Sequence, residues 1–381
     1  MGRTNGRLAP FARITKLTLT LALTGSMAVM GTVSAEDTSA LTGNKPAGGE
    51  GFYISDIQFL NGTTGRAAGN GYMIGTSDAG DHWQNIYSGT WQFTQLDFIN
   101  NREGYALAKS ASGGPNALLY TDDGGKSLLK IRTGSMYLQR IDFREKDQGF
   151  GFSRAYTYYT SDGGSSWSKI ATPTNTRYAV FSDPKKGYAL TVHPGYGYKL
   201  HQTTNGGKDW DVRLSAASES VSGGEIAVNG QEVWVRLNGG AGMSQQSYAL
   251  YASRNAGQSF YKVISQDTAG AGPAPGNSAG YIDVGPAAPA GHPRNLSLVN
   301  GAAYLAGFSP AGEKIGVGSS FDGGKTWTNQ PSIEGYGSVI SFTNIKSGWM
   351  ADTSLTHPAI YRTIDGGQHW TEVLVLEQPN D

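Results

Sequence analysis

The stretch Thr160–Ile170, TSDGGSSWSKI, is one of seven copies of the same short pattern. Aligned on the acidic or amide residue, they are TSDAGDHW at Asp78, TDDGGKSL at Asp123, TSDGGSSW at Asp162, TTNGGKDW at Asn205, SRNAGQSF at Asn255, SFDGGKTW at Asp322 and TIDGGQHW at Asp365. Each copy has Ser or Thr two residues before the anchor and Gly two residues after it. Five residues after the anchor stand Trp83, Leu128, Trp167, Trp210, Phe260, Trp327 and Trp370. Successive anchors are 45, 39, 43, 50, 67 and 43 residues apart. A repeat of about 40–50 residues matches one four-stranded propeller blade.

The grammar of the motif is that of a turn. A short Asp or Asn side chain accepts hydrogen bonds from backbone N–H groups just ahead of it, and Gly supplies positive φ at no steric cost. The preceding hydroxyl ties the other side of the turn, and the following aromatic opens the next strand, where its ring can be buried. The anchor alternates between Asp and Asn, and an amide cannot be a general acid or base. The repeated motif is therefore a structural joint and not a catalytic centre.

The 381 residues include 55 glycines, 11% aromatics and no cysteine, which with regular turns points to an all-β repeat protein. The first 35 residues differ in kind. Arg3, Arg7, Arg13 and Lys16 precede an uncharged, mostly apolar run, Leu17–Met30, and Val33-Ser34-Ala35 supplies the small residues of a cleavage site. The expectation is a signal peptide over 1–35 and a mature chain exported to the periplasm, envelope or exterior of a bacterium. An uncleaved membrane anchor is the other reading of this segment. Without the leader the chain keeps 26 basic and 30 acidic residues, a net charge of −4. No Lys/Arg cluster interleaved with aromatics occurs, so nucleic acid is not an expected partner.

Residues 36–50 read as a polar linker, 51–376 as the propeller and 377–381 as a tail. Short apolar runs cut by Gly-rich turns supply the strands, as in LQRIDF, GFGFS, YTYYTSD and SWSKI of the third repeat. Stacking such sheets in a ring buries both of their faces and protects their edges. Seven motifs predict a single seven-bladed β-propeller. Ring closure has two solutions: HWTEVLVLEQ completes the last blade by itself, or the segment near Tyr53 pairs with it. A long Gly/Ala/Pro-rich loop, 264–293, joins the fifth and sixth repeats, either as a surface insertion or as a cover over a binding face.

FINNREGYAL, FREKDQGFGF, FSDPKKGYAL and FTNIKSGWMA, each followed by the anchored turn, resemble the Asp-box (BNR-like) propellers of the photosystem II assembly and stability factor type and their non-photosynthetic bacterial relatives. The resemblance spans essentially the whole mature chain. It implies a seven-bladed propeller that serves as a binding or assembly platform without catalysis. The matched residues belong to the scaffold, so the photosynthetic role is not carried over. The same box occurs in sialidases, sortilin-like receptors and xyloglucan-cleaving hydrolases. Sialidases carry an arginine in an F/Y-R-I-P motif near the start of the propeller and usually have six blades. Here the nearest match, FARI at Phe11, lies in the leader. The xyloglucan enzymes place catalytic Asp residues between two propellers, and this chain has one.

No HExxH, P-loop or G-x-S-x-G pattern is present, and no cofactor or metal is expected. No pair of the six histidines shows metal-ligand spacing; His193 and His201, eight apart on a predicted hairpin, are more simply read as strand residues than as a metal site. In a propeller the anchored turns lie on one face, and ligands bind on the other, where the D–A and B–C connections lie. That face is expected to carry Trp91, Phe93, Tyr137, Arg154, Tyr156, Arg177, His193, Tyr196, Tyr198 and Tyr336, with Gln95, Arg140 and Tyr178 pointing to the axis. Exposed aromatics beside arginines make protein hot spots, and the same rings can stack on sugars. A protein or an envelope glycan is the expected partner. A glycan-binding module or a glycoside hydrolase is the competing reading, and it would need two carboxylates facing each other across a cleft.

Overall fold

The computed structural model describes residues 51–268, 270–277 and 291–378. The expected leader and linker, residues 278–290 of the long loop and the last three residues lie outside them. Within them the Gly-punctuated apolar runs form antiparallel sheets stacked as a β-propeller, and the sole helical element is a three-residue turn, Pro310–Gly312.

The repeated turn closes each sheet by one hydrogen-bond scheme. The Ser/Thr hydroxyl donates to the anchor Oδ1 at 2.8–3.0 Å. It also accepts the N–H of the Gly two residues past the anchor at 2.7–2.9 Å. The same Oδ1 accepts the N–H four residues past the anchor at 2.8–3.0 Å. The backbone passes through the left-handed region here, with φ of +69° at Gly163 and +86° at Gly164. Of the aromatics that follow, Trp83 is fully buried, while Trp167, Trp210, Phe260, Trp327 and Trp370 are half-buried.

The F-x5-G-aromatic pattern stitches one repeat to the next. Within a repeat the Phe ring lies on the Gly: a Cβ on Gly149 would stand 2.4 Å from Phe143 Cδ1, and one on Gly104 2.5 Å from Phe98 Cδ1. The aromatic after the Gly stacks on the Phe of the following repeat. Tyr105 meets Phe143 at 3.5 Å and Phe150 meets Phe181 at 5.1 Å; Tyr304, which follows Ala303 in place of a Gly, meets Phe342 at 3.6 Å. In the first repeat this place is held by Arg66, whose guanidinium lies 4.1 Å over Phe98.

The inner strands are laced to one another by side chains. Gln58 exchanges two hydrogen bonds with the backbone of Phe98, and Gln95 does the same with Ile141. Asp56 accepts from Leu96 N–H and Asp97 from Phe143 N–H. Asn295 exchanges two bonds with Ile340, and Glu225 accepts from Leu296 N–H. The circle closes where Phe59 N–H donates to Ser341 Oγ at 3.0 Å. At that seam Phe59 stacks on Trp349 at 3.5 Å, Trp349 Nε1 donates to Ala79 O, and Arg362 pairs with Asp81 at 2.7 Å. Thr371–Val375 pairs with Ala359–Thr363, so the C-terminal strand completes its own sheet. Gln378, expected in the tail, clasps the backbone N–H and C=O of Phe52 at 2.8 Å each.

The expected seven separate blades are corrected to six hydrogen-bonded sheets. The first sheet has six strands: Ile54–Phe59, Gly65–Thr76, Gln84–Phe98, Gly104–Ser110, Gly113–Thr121 and Leu129–Ile131. Gln84–Phe98 is one unbroken 15-residue strand that pairs with Asn70–Gly75 through its first half and with Gly104–Lys109 through its second. No break separates the first two repeats, so one sheet carries two of the turns. The later repeats each form a sheet, beginning with Arg140–Phe143, Thr176–Phe181, Gly224–Asn229, His292–Val299 and Ser338–Phe342.

In the long loop, the strand Tyr261–Gln266 runs past its expected start and His292–Val299 begins before its expected end. The described part of the insertion is tied down: Ala274 is buried among the residues between the fourth and fifth repeats, and Gly276 N–H donates to Ala217 O.

Candidate functional site

The third and fourth repeats enclose a cleft on the side opposite the anchored turns. Its walls are the connection Ser153–Tyr156, between the second and third strands of the third repeat, and residues Thr172–Ala179, which lead into the fourth. Two adjoining cavities make it up, of about 190 Å³ and about 520 Å³, sharing Arg154, Tyr156, Thr172, Thr176 and Arg177. Five residues singled out in the sequence meet here: Arg140, Arg154, Tyr156, Arg177 and Tyr178.

Arg140, from the inner strand of the third repeat, forms the floor. Its guanidinium lies between the rings of Phe152, 3.9 Å away, and Tyr178, 4.2 Å away, and its Nη2 donates to Ala179 O. Burial pushes the Tyr178 phenol above its ordinary pKa, against the pull of the Arg140 charge. At the rim Tyr156 is 46% exposed, and Lys169 Nζ sits 3.3 Å over its ring. Arg154 and Arg177 are exposed. Neither cavity is lined by Asp or Glu, and among the described residues none of Arg140, Arg154, Lys169 and Arg177 forms an ion pair. The cleft is a positive surface with aromatic backing.

The remaining candidates divide. Tyr137 and Tyr196 are exposed, at 63% and 83%. Phe93 and Tyr198 are core residues instead, with 1% and 2% of their surface exposed; Tyr198 Oη accepts the N–H groups of Ser222 and Gly223. Trp91 is half-buried with Lys130 Nζ 5.9 Å over its ring, and Gln95 is occupied with Ile141. Tyr336 is half-buried, its N–H bound to Asp352 Oδ2. Sequence reasoning missed Phe152 and Lys169. Lys169 lies in the plain strand segment SKI, and nothing local shows that it reaches over Tyr156.

His193 and His201 converge on one hydroxyl: Thr191 Oγ1 is 3.0 Å from His193 Nε2 and 3.1 Å from His201 Nε2. Burial lowers the His201 pKa, with the charges of His193 and Lys199 adding to it. Among the described residues no three His, Asp or Glu side chains gather as a metal site.

On the turn side a cavity of about 340 Å³ is lined by Arg66, Asp78, His82, Asp123 and Lys126. Its carboxylates are committed to their own turns. Side-chain and backbone hydrogen bonds from Ser127 hold Asp123 down at a pKa of about 2.

No family model matches the chain, and no curated protein matches it in sequence. Among solved structures it is similar to YCF48 bound to a D1 peptide, with a TM-score of 0.53 and 17% identity, covering 82% of this chain and 93% of that one. It is also similar to YCF48 from Cyanidioschyzon merolae, with a TM-score of 0.51 and 15% identity, covering 83% and 94%. A structure from a mechanistic study of two prolyl endopeptidases gives a TM-score of 0.55 at 12% identity; it covers 90% of this chain, which spans about half, 52%, of that protein. At these identities the likeness establishes the fold, a β-propeller.

Proposed function

We propose that the mature chain is an exported, non-enzymatic propeller of the Asp-box type that acts as a protein-binding or assembly platform at the bacterial cell envelope. The cleft between the third and fourth repeats carries this reading. It gathers four cations and two tyrosines, the composition of a recognition surface, with no carboxylate pair to perform acid–base hydrolysis. The fold likeness to YCF48 bound to a D1 peptide supports a polypeptide ligand. Export rests on the basic start, the apolar run Leu17–Met30 and the small residues before Glu36. Sheet count does not separate this chain from sialidases; the lack of an F/Y-R-I-P motif in 51–376 weighs against that reading.

The test uses purified mature protein. Envelope proteins captured by the wild type and lost with Arg154→Ala/Arg177→Ala support the platform. Turnover of chromogenic glycosides, or glycan-array binding abolished by Tyr137→Ala or Arg140→Ala, would establish the carbohydrate-active alternative instead. N-terminal sequencing of the exported chain checks cleavage after Ala35.

A further inference from the structure

We infer that the cleft between the third and fourth repeats binds an extended, carboxylate-rich peptide segment; this deepens the platform reading and rests on it. The mature chain is net acidic, yet the cleft presents Arg140, Arg154, Lys169 and Arg177 without one Asp or Glu. A pocket of one sign concentrates field and attracts anionic partners even where the chain as a whole is acidic. Arg140 is already oriented by its two flanking rings and its bond to Ala179, so its charge is fixed before any ligand arrives. Arg154 and Arg177 at the rim are exposed and, among the described residues, in no ion pair; Arg177 Nη1 donates to Thr176 O at 3.4 Å, which leaves its Nε–Nη2 edge, like the Arg154 fork, to face a carboxylate.

The cleft's rings favour a peptide over a sugar, because each already carries a cation over one face: Lys169 on Tyr156, and Arg140 on Phe152 and Tyr178. They hold the positive charges in place. The two joined cavities, of about 190 Å³ and about 520 Å³, exceed the space of a single small anion, and the hydroxyl oxygens of Thr172 and Thr176, which line both, can accept the amide N–H groups of an extended chain, the Thr176 proton being donated to Pro173 O.

The test is fluorescence anisotropy of the mature protein with three labelled probes: an octapeptide alternating Glu and Gly, the same peptide with Gln for Glu, and polygalacturonate. The Glu peptide binds, and more weakly as salt rises. The Gln peptide and the Arg154→Gln/Arg177→Gln variant each reduce affinity about tenfold or more. The variant's thermal melt stays unchanged, since both side chains are exposed. Equal binding of the Gln peptide, an unaffected double variant, or binding of polygalacturonate but not of the Glu peptide overturns the inference. Failure here with envelope capture intact removes the cleft and leaves the platform; peptide binding without envelope capture removes the platform reading alone.

Discussion

The ring of Tyr105 lies parallel to that of Phe143 in the next repeat, 3.5 Å away at an interplanar angle of 10°. Tyr105 Oη also donates to Lys146 O, so one side chain joins two repeats by both packing and hydrogen bonding. The ring can lie there because Phe143 is pressed onto Gly149 of its own repeat. Phe143→Ala removes this stack and the edge contact with Trp167, and is expected to cost about 3–5 kcal/mol. Gly149→Ala drives a methyl into the Phe143 ring and should cost about 1–3 kcal/mol. Urea unfolding monitored by Trp fluorescence checks both; a neutral Gly149→Ala would show that the pattern is not steric.

Arg66 is the exception in this series. It is buried, it donates to Gly124 O and Asn101 O, and its Nη1 has no partner among the described residues. Replacing a buried, incompletely satisfied charge by a ring that packs is often neutral or stabilising. Arg66→Tyr should therefore raise the melting temperature, by the several degrees that about 1–2 kcal/mol brings. A lower melting temperature would mean that the two guanidinium bonds outweigh the stack.

The Asn anchors obey the same chemistry as the Asp anchors with donor and acceptor exchanged. Four residues past Asp162 and Asp322 stand Ser166 and Thr326, whose hydroxyls donate to the carboxylate. Four residues past Asn205 stands Asp209, and there the amide donates to the carboxylate at 2.8 Å. Asn205→Asp would set two carboxylates against each other and should destabilise by about 1 kcal/mol at neutral pH. Asp209→Ser in the same chain should restore stability. A double-mutant cycle measures the coupling, and additive effects would refute it.

Two inner-strand carboxyls give the fold a pH dependence of unusual sign. Burial raises Asp97 to about 8, with the charge of Asp142 adding to it, and burial raises Asp56 to about 6. A carboxyl with a raised folded pKa binds more protons folded than unfolded. Its contribution is fully present below about pH 4 and is lost as pH rises through the folded value. Stability should fall between about pH 4 and 8. Asp322, held near 2 by hydrogen bonds from the Thr326 backbone and side chain, acts the other way and only below about pH 4. Asp97→Asn should flatten the decline, read from melting temperatures across that range; an unchanged slope would remove Asp97 as its source.

The sequence by itself determined the joints. The turn scheme is confined to a few consecutive residues, and Phe and Gly of the F-x5-G pattern meet within one hairpin, so their roles follow from local spacing. It also marked the side of the ring on which Arg140, Arg154, Tyr156, Arg177 and Tyr178 gather. Only the tertiary structure decided what local spacing does not carry: that Gln84–Phe98 runs unbroken and fuses two repeats into one sheet, that Phe93 and Tyr198 are core, and that Lys169 lies over Tyr156 and Arg140 over Phe152 and Tyr178. Period-two alternation tells which face of a strand a side chain takes, but both faces of a propeller sheet are packed against neighbours. Whether a given aromatic is buried, stacked or open is set by the facing sheet, which the strand's own sequence does not encode.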